Sequence, residues 1–409
     1  MSSLRPIFHV LCGLLPCGAG LLRAELAPSG ISKPWVSAPA SLIAGAGPVE
    51  EGGRFLQGLA LGVSSTWTYD SNVNQGNGRD LRIESDWIFS LAPTVSWETA
   101  VRDFTLRLNG SANYDHYAEL DDYSGLDYQG GVALGYQGGP LALDGSVNYA
   151  SVQGVDRYAG GLTEDQSLGL SLKARYDLSL KTSFDASFTT RDSTSTRQTG
   201  AALERDTSRT EFRLGALWQA TPLVRLGPGL RSTLGTTDTE GDRSTVGPML
   251  RVDYLLNEKV ELTSRFGLDF VEFDGGGSEQ FTSAALGLKY RLDALWSFSF
   301  DLSRDVQPDL DAGGGFREST QWRLGVIRKI LALQLDLGLG AETAEFSREA
   351  AGATRAPVDF LTFDAGLGMP VLGERGQARI FLRHQDSSSQ DPRRDWSGFQ
   401  SGVSFSYRF

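Results

Sequence analysis

Val260, Leu262, Phe266, Leu268 and Phe270 share one parity of the chain, and Glu261, Thr263, Arg265 and Asp269 share the other. The same two-residue beat sets Trp296, Phe298, Phe300 and Leu302 against Ser297, Ser299, Asp301 and Ser303. It sets Phe104, Leu106 and Leu108 against Thr105, Arg107 and Asn109, and Leu168, Leu170, Leu172 and Tyr176 against Gly169, Ser171, Lys173 and Arg175. In Leu331, Leu333, Leu335, Leu337 and Leu339 it alternates with Ala332, Gln334, Asp336 and Gly338. A strand sends successive side chains to opposite faces, so each segment has one apolar and one polar face. Apolar stripes of helical period longer than two turns are hard to find. No apolar run of about 18 residues occurs, which excludes a transmembrane helix.

Alternation alone also fits a soluble sandwich; the connections separate the two. Short breaks fall near 99–103, 138–140, 177–179, 220–222, 257–258, 293–294, 328–330 and 373–374. Longer polar ones fall near 73–83, 119–123, 153–165, 193–207, 236–243, 274–279, 306–318, 345–357 and 386–395. Short turns facing long loops are the pattern of an up-and-down outer-membrane barrel. The breaks predict an all-β, antiparallel transmembrane barrel over 55–409 with about 18 strands, 16 being the alternative. About 20 residues per strand plus connection leave room for the 9–11 that cross the hydrocarbon. Trp67, Tyr69, Trp87, Trp97, Tyr114, Tyr136, Tyr149, Tyr176, Trp218, Tyr254, Tyr290 and Trp296 fall near strand ends on the apolar parity, where rings suit the headgroup level.

The segment 1–24 reads as an export signal: Arg5 supplies the positive start, Ile7 to Leu22 is mostly apolar, and Ala24 is the expected last residue before cleavage. Cys12 and Cys17 are the only cysteines and both lie within it, so the mature chain is expected to carry no thiol. Cys17 follows Pro16 rather than a small residue, which argues against lipidation. Residues 25–54 are rich in Pro, Ser, Ala and Gly and read as a flexible periplasmic leader. A formal charge of −12 excludes nucleic-acid binding, which needs a basic footprint.

The chain ends Val403-Ser404-Phe405-Ser406-Tyr407-Arg408-Phe409. Val403, Phe405, Tyr407 and Phe409 resemble the terminal assembly signal of outer-membrane proteins, which implies the barrel-assembly machinery as a partner. A second resemblance lies in Trp67-Thr68-Tyr69-Asp70-Ser71-Asn72-Val73, followed by Glu84-Ser85-Asp86-Trp87-Ile88-Phe89 and Ser90-Leu91-Ala92-Pro93-Thr94-Val95-Ser96. These residues are similar to the opening of a family of outer-membrane β-barrel porins that often accompany exopolysaccharide export systems. The resemblance implies a channel, with polysaccharide-export components as partners, and covers about 40 residues. Asp70 and Asn72 are expected to stabilise the first outer turn through local side-chain to backbone bonds.

Of three histidines, His9 lies in the signal, and His116 and His384 fall on the apolar parity. A barrel lipase would need His116 beside Ser111 or Asn113, but those two have the opposite parity. No zinc-protease, phosphate-loop or nucleophile-elbow motif is present. Asp309, Asp311 and Gly313 resemble the start of a calcium loop, yet Thr320 stands where a bidentate Glu is required. No catalytic residue, metal site or cofactor is therefore expected. Asp121, Asp122, Asp238, Glu240 and Asp242 read as solvated outer loops, in reach of divalent cations and lipopolysaccharide.

The polar parity carries the functional expectation. Arg107, Lys173, Arg175, Lys181, Arg213, Arg251, Arg265, Lys289, Arg291, Arg323, Arg379 and Arg383 are expected to point inward. Asp144, Asp185, Asp253, Glu261, Asp269, Asp301 and Asp336 accompany them. A charged inner wall holds water, and its basic excess predicts a preference for anionic solutes. The reading is thus a porin-like channel, against a barrel of structural or adhesive role with an occluded lumen, or a lipid-acting barrel enzyme.

Overall fold

A computed structural model describes residues 31–32, 58–79, 81–157, 161–198, 204–238, 241–273, 278–308, 316–346, 356–373 and 375–409. The signal segment, most of the leader and the calcium-like 309–313 lie outside these residues. A two-residue strand, β1 (Ile31–Ser32), pairs with Asp156 and Val155. The eighteen strands β2 to β19 then follow in chain order, each antiparallel to the next. β19 (Trp396–Arg408) returns to β2 (Leu59–Asp70), with Gln400 opposite Asp70 and Arg408 opposite Gly62, so the cylinder has no open edge.

Turns at one end are tight. β3 (Asp86–Val101) passes to β4 (Phe104–Tyr117) through Arg102 and Asp103, and β5 (Gly125–Gly138) to β6 (Leu141–Asp156) through Gly139 and Pro140. β15 (Phe316–Ile330) passes to β16 (Leu333–Phe346) through Leu331 and Ala332, and β17 (Val358–Val371) leads to β18 (Gly376–Ser389). Arg102, Gly139, Leu331 and Leu372 have φ between 53° and 55°, the left-handed backbone that matches a tight hairpin to strand twist. Leu331 therefore belongs to a turn and not to the alternating strand the sequence predicts, because β15 keeps pairing to Ile330.

The outer loops are shorter than expected at several places. β6 runs to Asp156 and β7 (Leu162–Asp177) resumes at Leu162; β8 (Thr182–Arg197) and β9 (Glu204–Gln219) still pair at Ser195 and Arg205. β10 (Val224–Thr237) and β11 (Gly241–Asn257) pair out to Thr237 and Gly241. The strands are 12 to 17 residues long, more than a bilayer requires, so the ladder continues into water. There both faces are wet and the apolar beat disappears, although backbone pairing persists.

The outward face carries the exposed apolar side chains, among them Trp67, Leu91, Val132, Leu172, Phe184, Phe266 and Ile380. Rings gather at both rims. Trp67 packs on Phe89 at 5.1 Å and Tyr69 on Trp87 at 5.3 Å toward the outer end. Phe104 meets Tyr136 at 4.9 Å and Tyr407 meets Phe409 at 5.1 Å near the tight turns. Val403, Phe405 and Tyr407 lie on this face against Trp67, Ser65 and Val63 of β2. Gly402, just before them, faces inward; a Cβ there would lie 2.3 Å from the Trp67 carbonyl and 2.7 Å from the Phe381 ring, so only glycine fits.

Candidate functional site: the lumen

The inner wall divides by height. Toward the loop end its side chains are buried: Thr66 at 2%, Thr68 at 0%, Ser90 at 1% and Ile88 at 1%. Lower down the wall is mixed: the side chains of Arg107 at 49%, Glu98 at 53% and Arg323 at 59% are exposed, whereas Ser183 and Leu217 are buried, at 4% each. Among the described residues, the loop end of the lumen is where inward side chains are most tightly packed.

Among the described residues, two structures narrow it there. The β2–β3 connection folds on itself through its asparagines. Asn72 N donates to Asp70 Oδ1 at 2.9 Å, and Asn72 Nδ2 donates to the Gly76 and Ser397 carbonyls, each at 2.9 Å. Gly76 N returns to Asn72 Oδ1 at 2.7 Å, and Asn77 Nδ2 reaches the Pro392 carbonyl at 2.8 Å. Gln400 Nε2 holds the other Asp70 oxygen at 2.7 Å. Asp86 receives Glu119 N and Leu120 N, at 3.0 and 2.9 Å, and so anchors the next loop. The Asp-Ser-Asn and Ser-Asp elements of the opening motif thus build the outer mouth by local turn chemistry.

The second structure is the β6–β7 hairpin. Pairing between β5 and β6 ends at Tyr128 and Ser151, while β6 continues to Asp156 paired with β7. Val155 and Leu162 at its tip are buried, at 4% and 2%. Arg157 then reaches the far wall: its Nη2 lies 2.6 Å from Glu342 Oε2 on β16, and its guanidinium sits 4.6 Å over the Phe360 ring on β17. Glu342 also accepts Ser319 Oγ at 2.8 Å. From the level of this contact toward the loops, Ala344, Phe346, Val358, Phe360 and Trp396 form an apolar cluster inside the barrel.

At mid-height the wall is ionic. Arg231 Nη2 on β10 reaches Asp305 on β14 (Trp296–Pro308) at 2.9 Å and Asp269 on β12 (Val260–Phe273) at 3.6 Å. Arg213 pairs with Glu211 at 2.6 Å. On the facing wall Asp364 sits between Arg383 at 2.6 Å and Arg323 at 3.3 Å, and Arg379 holds Asp336 at 3.2 Å.

Cross-strand registers place the expected wall residues. Arg107 opposes Glu98; Lys173 and Arg175 oppose Ser187 and Asp185; Arg251 and Arg265 oppose each other. Glu261 opposes Lys289 and Asp301 opposes Arg323, and Arg213, Asp253, Asp269, Arg291, Asp336, Arg379 and Arg383 share the inward register. Lys181 is the correction: it lies in the exposed turn before Thr182, where no wall exists. His116 points outward opposite Phe89, while Ser111 and Asn113 take the inward register, so these three do not converge. Arg157, Glu342 and Arg231 went unremarked in the sequence. A single inward arginine beyond a strand end has no periodic signal, and Arg231 gains its role only from partners on distant strands.

A closed antiparallel cylinder, apolar outside, with tight turns at one end and long loops at the other, is the architecture of an outer-membrane β-barrel. No family model matches the chain, and no curated protein matches it. Among solved structures it resembles the FrpB iron transporter from Neisseria meningitidis (F3-3 variant), with a TM-score of 0.47, 11% identity, and coverage of 82% of this chain and 64% of that one. The chain therefore spans just under two thirds of that transporter's length. OpdK from Pseudomonas aeruginosa, solved with vanillate, gives a TM-score of 0.46 at 12% identity over 87% of this chain and 100% of that one. The siderophore receptor PirA from Acinetobacter baumannii gives 0.46 at 9% identity over 86% and 80%.

Proposed function

We propose that this protein is a bacterial outer-membrane channel that admits small hydrophilic, preferentially anionic solutes from the periplasmic side and is held closed at its outer mouth. The observation that carries this reading is the charged inner wall of the closed cylinder, on which Arg107, Glu98 and Arg323 are exposed. Exposed charges on an inner wall keep it hydrated, and their sign selects the permeating ion. The basic excess runs against a chain whose net charge is −12. The similarity of the opening motif to polysaccharide-associated porins supports a place beside an export system for an extracellular polysaccharide.

Planar-bilayer recording tests the reading. Under a salt gradient the purified protein is expected to give discrete currents whose reversal potential favours the anion. Cation selectivity, or silence even after the Arg157 contact is removed, would overturn it. Packing at the outer mouth favours a second reading, a permanently closed barrel of structural role; silence in both forms is its signature.

A further inference from the structure

Six consecutive hairpins carry a leucine in or beside their tight turn. Leu180 lies between β7 and β8, Leu223 between β9 and β10, Leu256 at the end of β11, Leu295 between β13 (Ser278–Arg291) and β14, Leu331 between β15 and β16, and Leu372 between β17 and β18. Their exposure runs from 43% at Leu223 to 100% at Leu180 and Leu331. A single exposed leucine is ordinary, whereas a run of them along one rim marks a surface that meets something apolar. The turns are tied to one another along that rim, so the leucines have no core to fold into. Gln219 N donates to the Lys181 carbonyl at 2.7 Å, Leu255 N to that of Leu223 at 2.8 Å, Arg291 N to that of Lys259 at 2.7 Å, and Lys329 N to that of Leu295 at 2.8 Å.

Polar side chains of the same turns serve the backbone instead. Ser179 Oγ accepts Lys181 N and Thr182 N at 3.2 and 3.1 Å, and Thr221 Oγ1 accepts Leu223 N and Val224 N at 3.2 and 3.0 Å. Asn257 Oδ1 takes Lys259 N and Val260 N at 2.8 and 2.9 Å, and Asp293 Oδ1 takes Leu295 N and Trp296 N at 2.7 and 2.8 Å. These four turns satisfy their own amides and present leucine outward, so they give up little on leaving water. The leucines also continue the lipid-facing belt: Tyr176 and Trp218, both exposed on the outer face, stand within five residues of Leu180 and Leu223. Exposed cations lie among them at Lys181, Lys259, Lys329 and Arg375. Of the acids nearby, Glu258 is exposed, Asp293 serves as a cap, and Asp177 is held by Arg175 at 2.8 Å. Apolar side chains beside an aromatic belt, interleaved with cations, match a layer of phosphate headgroups over acyl chains. The other two turns differ, with Arg102-Asp103 and Gly139-Pro140 at their tips.

We propose that this crescent of turns is seated in the phospholipid headgroup layer of the leaflet the barrel itself crosses, so that the barrel sits deeper along β7 to β18 than at the Arg102 and Gly139 turns. Such seating needs the closed barrel but not conduction. Leu180→Cys, Leu331→Cys and, as the control, Asp103→Cys are each made in the full chain with Cys12→Ser and Cys17→Ser, so that one thiol remains. Each thiol is labelled with a nitrobenzoxadiazole dye, whose emission moves to the blue on leaving water. The proteins are folded into vesicles of phosphatidylcholine and phosphatidylglycerol, and heat-modifiable gel mobility confirms the barrel. The dye at 180 and at 331 is expected to emit to the blue of the dye at 103 and to lose intensity when lipid spin-labelled at its headgroup is added. The control carries the same dye, so insertion driven by the dye alone would appear there too. If the dye at either leucine position behaves like that at 103, the seating is overturned. A blue shift that resists the lipid quencher and grows with the ratio of protein to lipid marks contact between two copies, and overturns it as well.

Discussion

Arg157→Ala is the perturbation that most directly separates a gated lumen from a fixed plug. Among the described residues Arg157 ties the β6–β7 tip to the far wall, through a partly buried ion pair with Glu342 and a ring contact with Phe360. A hydrogen bond to a charged group contributes about 1.5–3 kcal/mol and a cation–ring contact about 0.5–2 kcal/mol. Ordering the tip and the long arginine side chain offsets part of this, which leaves a net preference of about 2 kcal/mol for closure. Its loss multiplies the open-to-closed ratio roughly 30-fold, so a tip open about 1% of the time would be open about a quarter of the time. The companion change Glu342→Gln keeps the shape but removes the charge. Two readouts follow: open probability in planar bilayers, and amide exchange across residues 161–165. Both are expected to rise in either variant, and the double variant is expected to exceed neither single one by much, since the two groups share one contact. If exchange in the hairpin and the current both stay at wild-type values, the hairpin is not held by this contact and the gating argument fails. High salt should mimic the variants only weakly, because Glu342 is 9% exposed and little screened.

Other consequences are as concrete. Gly227→Ala places a methyl 1.6 Å from the Ala216 carbonyl, beside Pro228 where the β9–β10 ladder lacks two pairs, and is expected to cost about 1–3 kcal/mol, read as a lower urea midpoint of the folded barrel. Gly402→Val should be worse, since both a carbonyl and the Phe381 ring block it; a normal yield of heat-modifiable barrel would refute the packing. Asp86→Ala removes the acceptor of two loop amides and is expected to raise proteolysis within 118–124 while leaving the barrel intact. Deleting Phe409, whose amide donates to the Leu61 carbonyl at 3.0 Å, is expected to lower the fraction assembled in the outer membrane more than Phe409→Tyr does.

Most of the cylinder was legible because membrane crossing leaves the backbone one solution and the side chains one rule. In β12, Phe266, Leu268 and Phe270 face lipid while Arg265 and Asp269 face the lumen, as the parity predicts. The rule weakens wherever the environment is the same on both faces. Above the bilayer, Ser193 still pairs with Thr207 in a stretch that reads as loop. Inside the closed mouth the rule is reversed: Ile88, Phe360, Phe381 and Trp396 are apolar side chains in the inward register. Trp87-Ile88-Phe89 and Ile380-Phe381-Leu382 do carry a signal of this, since three apolar residues in a row cannot all meet lipid.

The ionic wall was legible residue by residue but not as a set of partners. Parity places Arg213 and Asp269 on the inner face, yet nothing local says that Arg231 bridges β10 to Asp305 on β14. Such contacts depend on how tightly the wall curves, which is settled by shear and strand number rather than by any one segment. The acids this wall does carry are drawn into pairs with the arginines: Asp253 holds Arg251 at 2.9 Å, and Asp364 holds Arg383 at 2.6 Å. Selectivity in such a lumen follows the charges left over after pairing, not the total. Neutralising Arg323, whose side chain is 59% exposed, is therefore expected to move the reversal potential further toward the cation than neutralising Arg383, 13% exposed on the same Asp364.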